Sequence, residues 1–227
     1  MKSANLCLHS AGGNAEMIWQ YLLFMAMGFL SGSVLYSYLL PKWLRGIDIL
    51  ALSGDQNPGT ANAMKFAGAP VGFLCLFMDL LKGFLPVWLA LHTLSPFHPL
   101  FSLVLAAPAL GHAFSPILQG KGGKAIAVSF GTLLAFLPDF ILLLLLAGFY
   151  IFFSVILVIH PNERRTVATF LLFAAAQIFL PHPIPVKIGM LLIADVVIYK
   201  NWRDAFGKAP SEEPEAPEPV PPDKMAF

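Results

Sequence analysis

Seven apolar runs, separated by short polar segments, make up most of the chain. A membrane-spanning helix needs about 20 mainly apolar residues, and its backbone must be hydrogen-bonded internally. We therefore predict an all-α polytopic membrane bundle of about seven transmembrane helices. The fourth and sixth runs are short, so those helices must be tilted or sheltered by protein. The runs cover residues 18–40, 67–91, 97–114, 125–137, 139–159, 166–180 and 184–199.

The composition supports this prediction and excludes some functions. Hydrophobic residues make up 57% of the chain and charged residues only 12%, about half the share of a soluble domain. A very apolar soluble core is therefore the weaker alternative. The net charge of +1 gives no electrostatic reason to expect nucleic acid binding. The two cysteines, Cys7 and Cys75, form neither a disulfide framework nor a metal-binding pattern.

The basic residues predict the orientation in the membrane. With the N-terminus outside, 12 Lys and Arg residues lie on the cytoplasmic side and 2, Lys2 and Lys187, lie outside, which accounts for all 14. We therefore expect a multi-pass protein of the cell (plasma) membrane with a cytoplasmic C-terminus. The chain divides into a polar N-terminal extension (1–17), a transmembrane domain (18–208) and a Pro/Glu-rich cytoplasmic tail (209–227), whose composition predicts disorder.

Two polar islands interrupt the apolar pattern, both on the predicted cytoplasmic side. The second island, "GHAFSPILQGKGGKAIA", contains two lysines around a glycine pair just before an apolar helix. Glycine amides at a helix start, with flanking lysines, can form a phosphate cradle. The alternative is a positive-inside loop with snorkelling lysines and glycine hinges. The cradle would consist of Lys121, Gly122, Gly123 and Lys124.

The first island, "SGDQNPGTAN", supplies hydrogen-bonding groups, with Lys65 shortly after it. Asn57, Thr60 and Asn62 have side chains that recognise hydroxyl groups or phosphate oxygens, and Gly59 belongs to a tight turn. Asp55 is a candidate base, a group that orients a donor, or a helix cap. An ordinary surface loop would contain the same residue types.

Three ionisable residues lie within or at the end of apolar runs. Asp79 and Lys82 are spaced i, i+3, which places them on one helix face. Such charges usually face the bundle interior in pairs, so the two residues form either a structural ion pair or a pocket wall. His112 ends its run, where it is either a packing residue or a catalytic one.

Together these segments resemble the PlsY family, the membrane-embedded acyl-phosphate:glycerol-3-phosphate acyltransferases. The resemblance is carried by "GSVLYSYLLPKWLRGIDI", "NPGTANAMKFAG", "DLLKGFLPVWLA" and the second island, in that order. It implies a seven-helix membrane bundle with an active site at the cytoplasmic side. It also implies transfer of a fatty acyl group from acyl phosphate to glycerol 3-phosphate, giving lysophosphatidic acid for phospholipid synthesis, without acyl-CoA or acyl carrier protein.

The resemblance also assigns roles to residues. Asn57, Gly59 and Asn62 match the family's first motif, and Asp79 and Lys82 match its Asp-x-x-Lys-Gly element. The phosphate-binding second motif corresponds to His112, Lys121, Gly122, Gly123 and Lys124. We expect Asp55, His112 and Lys121 to be catalytic. We expect the substrates to be bound by Asn57, Gly59, Thr60, Asn62, Lys65, Asp79, Lys82, Gly122, Gly123 and Lys124.

The chain departs from the family pattern at several positions, as a diverged member would. Asp55 stands where the family's first motif has serine. The third motif, His-x-x-Asn-x-x-Arg after the last helix, is not intact in "YKNWRDAFGK". The segment "HPNERR" has matching letters but lies two spans too early, so we do not count it.

The expected partners are acyl phosphate, glycerol 3-phosphate and membrane lipids. We expect no cofactor, no metal, no nucleic acid and no obligate protein partner. Two alternatives remain open at this point: a diverged, non-acylating membrane protein that binds a phosphorylated lipid or metabolite, and a small transporter. The clustering of polar residues on one side and the lack of an inverted repeat weigh against transport.

Overall fold

The computed structural model describes residues 2–207, with side chains from Met17 onward. Within this range all regular elements are helical, which agrees with the predicted all-α class. A 3₁₀ turn at Pro116–Leu118 and a π-helical turn at Phe152–Ile156 supplement the α-helices. The α-helices are α1 (Lys2–Ser33), α2 (Tyr36–Arg45), α3 (Ile49–Leu52), α4 (Thr60–Ala67), α5 (Ala69–Thr93), α6 (Phe101–Ala113), α7 (Ile126–Leu134), α8 (Ile141–Ile151), α9 (Asn162–Gln177) and α10 (Ile184–Phe206).

Two described helical segments are long and apolar enough to cross a membrane, Ala69–Thr93 and Phe101–Leu118. The pair Met17–Ser33 and Tyr36–Arg45, bent by about 40°, would add a third if it crosses as one span. Each of the seven predicted runs contains a helix, but α7 is only 9 residues long. Seven crossings and the orientation of the termini remain predictions. The predicted tail, 209–227, lies outside the described residues.

The first predicted span is broken rather than continuous, because its helix ends at Ser33. Ser33 Oγ donates to the Phe29 carbonyl at 2.7 Å, a local bond that tends to bend helices. The carbonyls freed at the break receive other donors. Ser115 Oγ donates to the Ser33 oxygen at 2.6 Å, and Lys82 Nζ donates to the Val34 oxygen at 2.6 Å. The break therefore depends on contacts that are remote in sequence.

Small residues bring the central helices into close contact. A Cβ on Gly32 of α1 would collide with the backbone of Pro108 in α6, and one on Gly111 would collide with the Phe29 carbonyl. Gly83 of α5 and Gly131 of α7 make the same kind of approach to each other's helices. Membrane helices pack in this way because lipid gives apolar side chains no reason to associate.

Large apolar side chains cover the outside of the bundle. Trp19, Leu23, Phe73, Leu144 and Ile156 are each more than 60% exposed. Such an extensive exposed apolar surface is unusual for a soluble monomer and is the expected surface of a protein solvated by lipid.

Candidate active site

A cavity of about 700 Å³, here called the main cavity, lies at one end of the bundle. Three segments form it: the loop before α4, the loop after α6 and the last part of α10. Both polar islands therefore contribute residues to the lining of one cavity. The lining residues are Asp55, Gln56, Asn57, Phe114, Gly120, Lys121, Gly122, Lys124, Asp195, Ile198, Tyr199, Lys200, Trp202, Arg203 and Asp204.

Three carboxylates surround Lys124 in the main cavity. Its Nζ lies 3.0 Å from Asp55 Oδ2, 2.9 Å from Glu163 Oε1 and 3.3 Å from Asp204 Oδ2. Burial alone would lower the pKa of Lys124, but the Glu163 hydrogen bond and the Asp55 charge outweigh it and raise the pKa. Lys124 is therefore protonated at neutral pH.

Asp55 uses both of its carboxylate oxygens. Oδ2 faces Lys124, while Oδ1 accepts from Asn62 Nδ2 at 2.9 Å and from the Asn57 amide at 3.2 Å. Partial burial would raise the pKa of Asp55, but the Lys124 charge and these hydrogen bonds hold it below its ordinary value. A carboxylate stabilised in this way is a weak proton acceptor and a good anchor for its loop.

The glycine-loop amides, residues 120–123, bond within the protein. Gly122 and Gly123 each donate at 3.1 Å, to the carbonyls of Ala113 and His112 at the end of α6. These two amides are therefore already paired, because they satisfy carbonyls that the end of a helix leaves free. Phosphate binding by Lys121, Gly122, Gly123 and Lys124 stays a prediction. Glycine is required here for space, since a Cβ on Gly122 would collide with the His112 carbonyl.

The main cavity has further cations. Lys121 and Arg203 are exposed, and Lys200 is partly buried. Lys200 Nζ donates to the Ala113 carbonyl at 3.0 Å and lies 5.6 Å from the centre of the Phe114 ring. Neither Lys121 nor Lys200 forms an ion pair with a carboxylate in the described part of the chain.

The ionisable residues of α5 and α6 form a separate buried network. Lys82 Nζ lies 2.8 Å from Asp79 Oδ1 and 2.8 Å from His112 Nδ1. Asp79 Oδ2 accepts from Ser37 Oγ at 2.8 Å. The side chains of Asp79 and Lys82 are each 2% exposed, and neither lines the main cavity. This geometry favours the structural ion pair over the pocket wall.

The predicted site residues thus fall into two groups. Five of them line the main cavity: Asp55, Asn57, Lys121, Gly122 and Lys124. The others lie behind or beside it. Lys65 is exposed on α4, with its Nζ over the Phe66 ring. The remaining predicted residues outside the lining are Gly59, Thr60, Asn62, Asp79, Lys82, His112 and Gly123.

Sequence reasoning missed the contribution of the last helices. Lys200, Arg203 and Asp204 line the main cavity, and their spacing of i, i+3, i+4 places them on one helix face. That spacing was the available signal. Glu163 comes from "HPNERR", the segment discounted as a third motif, and no local pattern links it to Lys124.

The fold and the cavity define a polytopic membrane protein with a charged site at one end, and comparisons with known proteins agree. The crystal structure of PlsY, an integral membrane glycerol 3-phosphate acyltransferase, in its glycerol 3-phosphate form matches with a TM-score of 0.72. The match covers 82% of this chain and 90% of that chain at 23% identity. At this identity the likeness establishes the fold.

Sequence comparisons establish the family. The protein-family model described as glycerol-3-phosphate acyltransferase matches residues 22–206 of this chain. A glycerol-3-phosphate acyltransferase of Trichlorobacter lovleyi is 35% identical over 79% of this chain and 89% of its own length. One from Thermotoga petrophila is 45% identical over 48% of this chain. In that and similar alignments the chain spans about half the length of the relative, 55% here. The chain belongs to the glycerol-3-phosphate acyltransferase family, that of PlsY.

Proposed function

We propose that the protein transfers a fatty acyl group from acyl phosphate to glycerol 3-phosphate, forming lysophosphatidic acid and inorganic phosphate. The observation that carries this proposal is a cation-lined cavity at the end of a membrane-embedded bundle, in a chain of this family. The reaction needs a site that holds two phosphorylated molecules beside lipid, and the main cavity has that character.

The substrate phosphates bind to side chains. Lys121, Lys200 and Arg203 line the main cavity and offset the repulsion between two anions. A smaller cavity of about 470 Å³ shares Lys121 and Gln56 with the main cavity and is lined in part by Leu50, Ile117 and Leu118. We assign the head of the acyl phosphate to this smaller cavity, because it combines a cation with apolar walls.

The chemistry needs no covalent acyl-enzyme. A hydroxyl oxygen of glycerol 3-phosphate attacks the acyl carbonyl carbon, and the carbon–oxygen bond to phosphate then breaks. Phosphate leaves with the electron pair and accepts the hydroxyl proton. The protein holds the two molecules in this geometry and stabilises the developing charge.

The two predicted proton acceptors are poorly suited to that role. Asp55 has a lowered pKa and fully used oxygens, and His112 is buried behind the cavity against Lys82. We therefore assign Asp55 to orienting its loop and His112 to holding the end of α6, with the departing phosphate as the proton acceptor.

We place the main cavity on the cytoplasmic side of the plasma membrane, with the N-terminus outside. Four basic residues line this cavity, which is the pattern that the positive-inside rule predicts for the cytoplasmic side. In this arrangement residues 18–208 are the acyltransferase unit, flanked by the extension 1–17 and the tail 209–227. The basic residues that the sequence predicts on the cytoplasmic side include Lys42, Arg45, Lys65, Lys121, Lys124, Lys200 and Arg203.

The test is an acyl-transfer assay on purified protein in a lipid mesophase, with radiolabelled glycerol 3-phosphate. We expect lysophosphatidic acid when acyl phosphate is the donor and none when acyl-CoA replaces it. Product from acyl-CoA alone would contradict the proposed donor. Tight binding of glycerol 3-phosphate without product from either donor would instead support a non-acylating binding protein.

A further inference from the structure

The segment "HPNERR" (160–165) is distant from the last helix in the sequence but contacts it in space. Its last four residues form the first turn of α9. Arg164 Nε donates to the carbonyl oxygen of Ala205 at 2.8 Å, and Ala205 lies in the last turn of α10. Arg164 does not line the main cavity. It is therefore a tertiary partner of the helix that does.

The Ala205 carbonyl is a group that needs a donor from elsewhere. The last four carbonyls of an α-helix have no partner within the helix. Ala205 is buried, and an unpaired carbonyl in a buried position is costly. An arginine that binds such a carbonyl also interacts favourably with the negative end of the helix dipole. The bond from Arg164 therefore stabilises the end of α10 against fraying.

The guanidinium group of Arg164 also contacts an aromatic pair on α10. Its central carbon lies 5.8 Å from the centre of the Phe206 ring, which is within the range of a cation–π interaction. The centre of the Phe206 ring lies 4.7 Å from that of Trp202, and Trp202 lines the main cavity. A continuous set of contacts therefore connects Arg164 to the cavity wall.

The same turn of α9 contacts the opposite wall. Glu163 Oε1 accepts a hydrogen bond at 2.9 Å from Lys124, which directly follows the glycine loop. Lys200, which lines the main cavity, lies a little more than one turn before Ala205 on α10. A shift at the end of α10 would therefore move Lys200 relative to the glycine loop.

We propose that Arg164 is a positioning residue, which holds the last turn of α10 and thereby sets where Lys200 lies in the main cavity. The kinetic part of this inference rests on the proposed acyl transfer; the structural part does not. The segment "HPNERR" then contributes to the site by fixing the last helix, without contacting substrate.

The structural part is tested by amide hydrogen exchange of residues 200–207, with Arg164→Gln compared with the matched variant Arg165→Gln in the full chain. Both variants remove one arginine charge from the same turn. Within the described residues, however, the hydrogen bond of the Arg165 side chain goes to Asn162 of its own helix. We expect exchange about fivefold faster or more in Arg164→Gln, since a charged hydrogen bond is lost, and within about twofold of wild type in Arg165→Gln. Equal exchange in the two variants would overturn the inference.

The kinetic part is tested by KM for glycerol 3-phosphate. We expect Arg164→Gln to raise KM about threefold or more and Arg165→Gln to leave it within about twofold. In a Lys200→Met background, Arg164→Gln should change KM less than about twofold, because a positioning residue has no effect once the group that it positions is gone.

Two results would contradict the kinetic part. A lower kcat with unchanged KM would indicate loss of folded protein instead of a displaced cation. An equal rise in KM with and without Lys200 would show that Arg164 does not act through that residue. If the wild type makes no lysophosphatidic acid, the proposed function fails, while hydrogen exchange still decides whether Arg164 holds α10.

Discussion

Two lysine clusters in this protein use the same chemistry in different surroundings. Lys82 and Asp79 are sealed inside the bundle, and each side chain is 2% exposed. Lys124 and its three carboxylates are 12–29% exposed at the main cavity. The sealed lysine also donates to the Val34 carbonyl at the helix break and contacts His112.

The difference in exposure gives the Lys82 cluster a role mainly in stability and the Lys124 cluster a role mainly in activity. A charge without water must keep all its partners, so the Lys82 cluster fixes the break after α1 and the end of α6. The Lys124 cluster lies where a substrate arrives, so its geometry sets the shape of the site. We therefore expect substitutions in the first cluster to act mainly on folding and those in the second mainly on turnover.

The largest expected effect is that of Lys82→Met. It leaves Asp79 charged and unpaired in the bundle, which typically costs about 3–5 kcal/mol. The measurement is the free energy of unfolding in detergent. As a control, Lys82→Met with Asp79→Asn removes both charges and should recover part of the loss. If Lys82→Met alone were as stable as the wild type, the Lys82 cluster would not have the role in stability that distinguishes it from the Lys124 cluster.

Gly123→Ala should affect both regions at once. Its Cβ would collide with the His112 imidazole, and overpacking of this kind costs roughly 1–3 kcal/mol. We expect reduced activity and reduced stability together. Gly54→Ala is the matched control, because no atom lies within 4 Å of its Cβ. Equal effects of the two variants, on unfolding temperature and on kcat, would exclude the close contact.

Substitution of single exposed lysines tests whether the main cavity binds glycerol 3-phosphate. Lys121→Met should raise KM for glycerol 3-phosphate about tenfold or more without loss of stability, because a charge-assisted bond to phosphate disappears. Lys65→Met removes another exposed lysine, one that lies away from the main cavity, and should leave KM within about twofold. If both variants bind glycerol 3-phosphate equally well, the cavity is not its site.

The smallest expected effect is that of Asp55→Asn on kcat. Loss of a carboxylate that only orients its loop should lower kcat less than about tenfold, whereas loss of a general base lowers it about 10²–10⁴-fold. Steady-state kinetics at pH 7 distinguish the two roles. A loss of 10²-fold or more would return Asp55 to the role of base.

The pH dependence of stability offers a second measurement on Asp55. Its folded-state pKa is lowered, so its contribution is complete at neutral pH and disappears as the pH falls through that pKa. The difference in unfolding temperature between wild type and Asp55→Asn should therefore shrink in acid. A difference that grows below pH 4 would contradict the ion pair with Lys124.

The all-α class could be predicted from the sequence, because the length of an apolar run reflects the thickness of the hydrocarbon layer. The break after Ser33 could not, since it depends on Ser115 and Lys82, which are far away in the chain. Helix α7, with 9 residues, is also shorter than the predicted run 125–137.

The site was predictable to the extent that its motifs are local. The two polar islands meet at one cavity, and Lys121 faces it. The bonds of the Gly122 and Gly123 amides to the end of α6 could not be predicted, because they are tertiary contacts. Glu163 was missed for the same reason, since nothing in its own segment indicates that it meets Lys124. Asp204 shares a helix face with Lys200 and Arg203, but that spacing does not indicate its contact with Lys124.

The most direct test of the central claim measures lysophosphatidic acid and inorganic phosphate in one reaction of the purified wild-type protein with acyl phosphate. We predict that phosphate release requires glycerol 3-phosphate and equals the lysophosphatidic acid formed, mole for mole. Phosphate released without glycerol 3-phosphate, or glycerol 3-phosphate bound with neither product formed, would contradict acyl transfer at the main cavity.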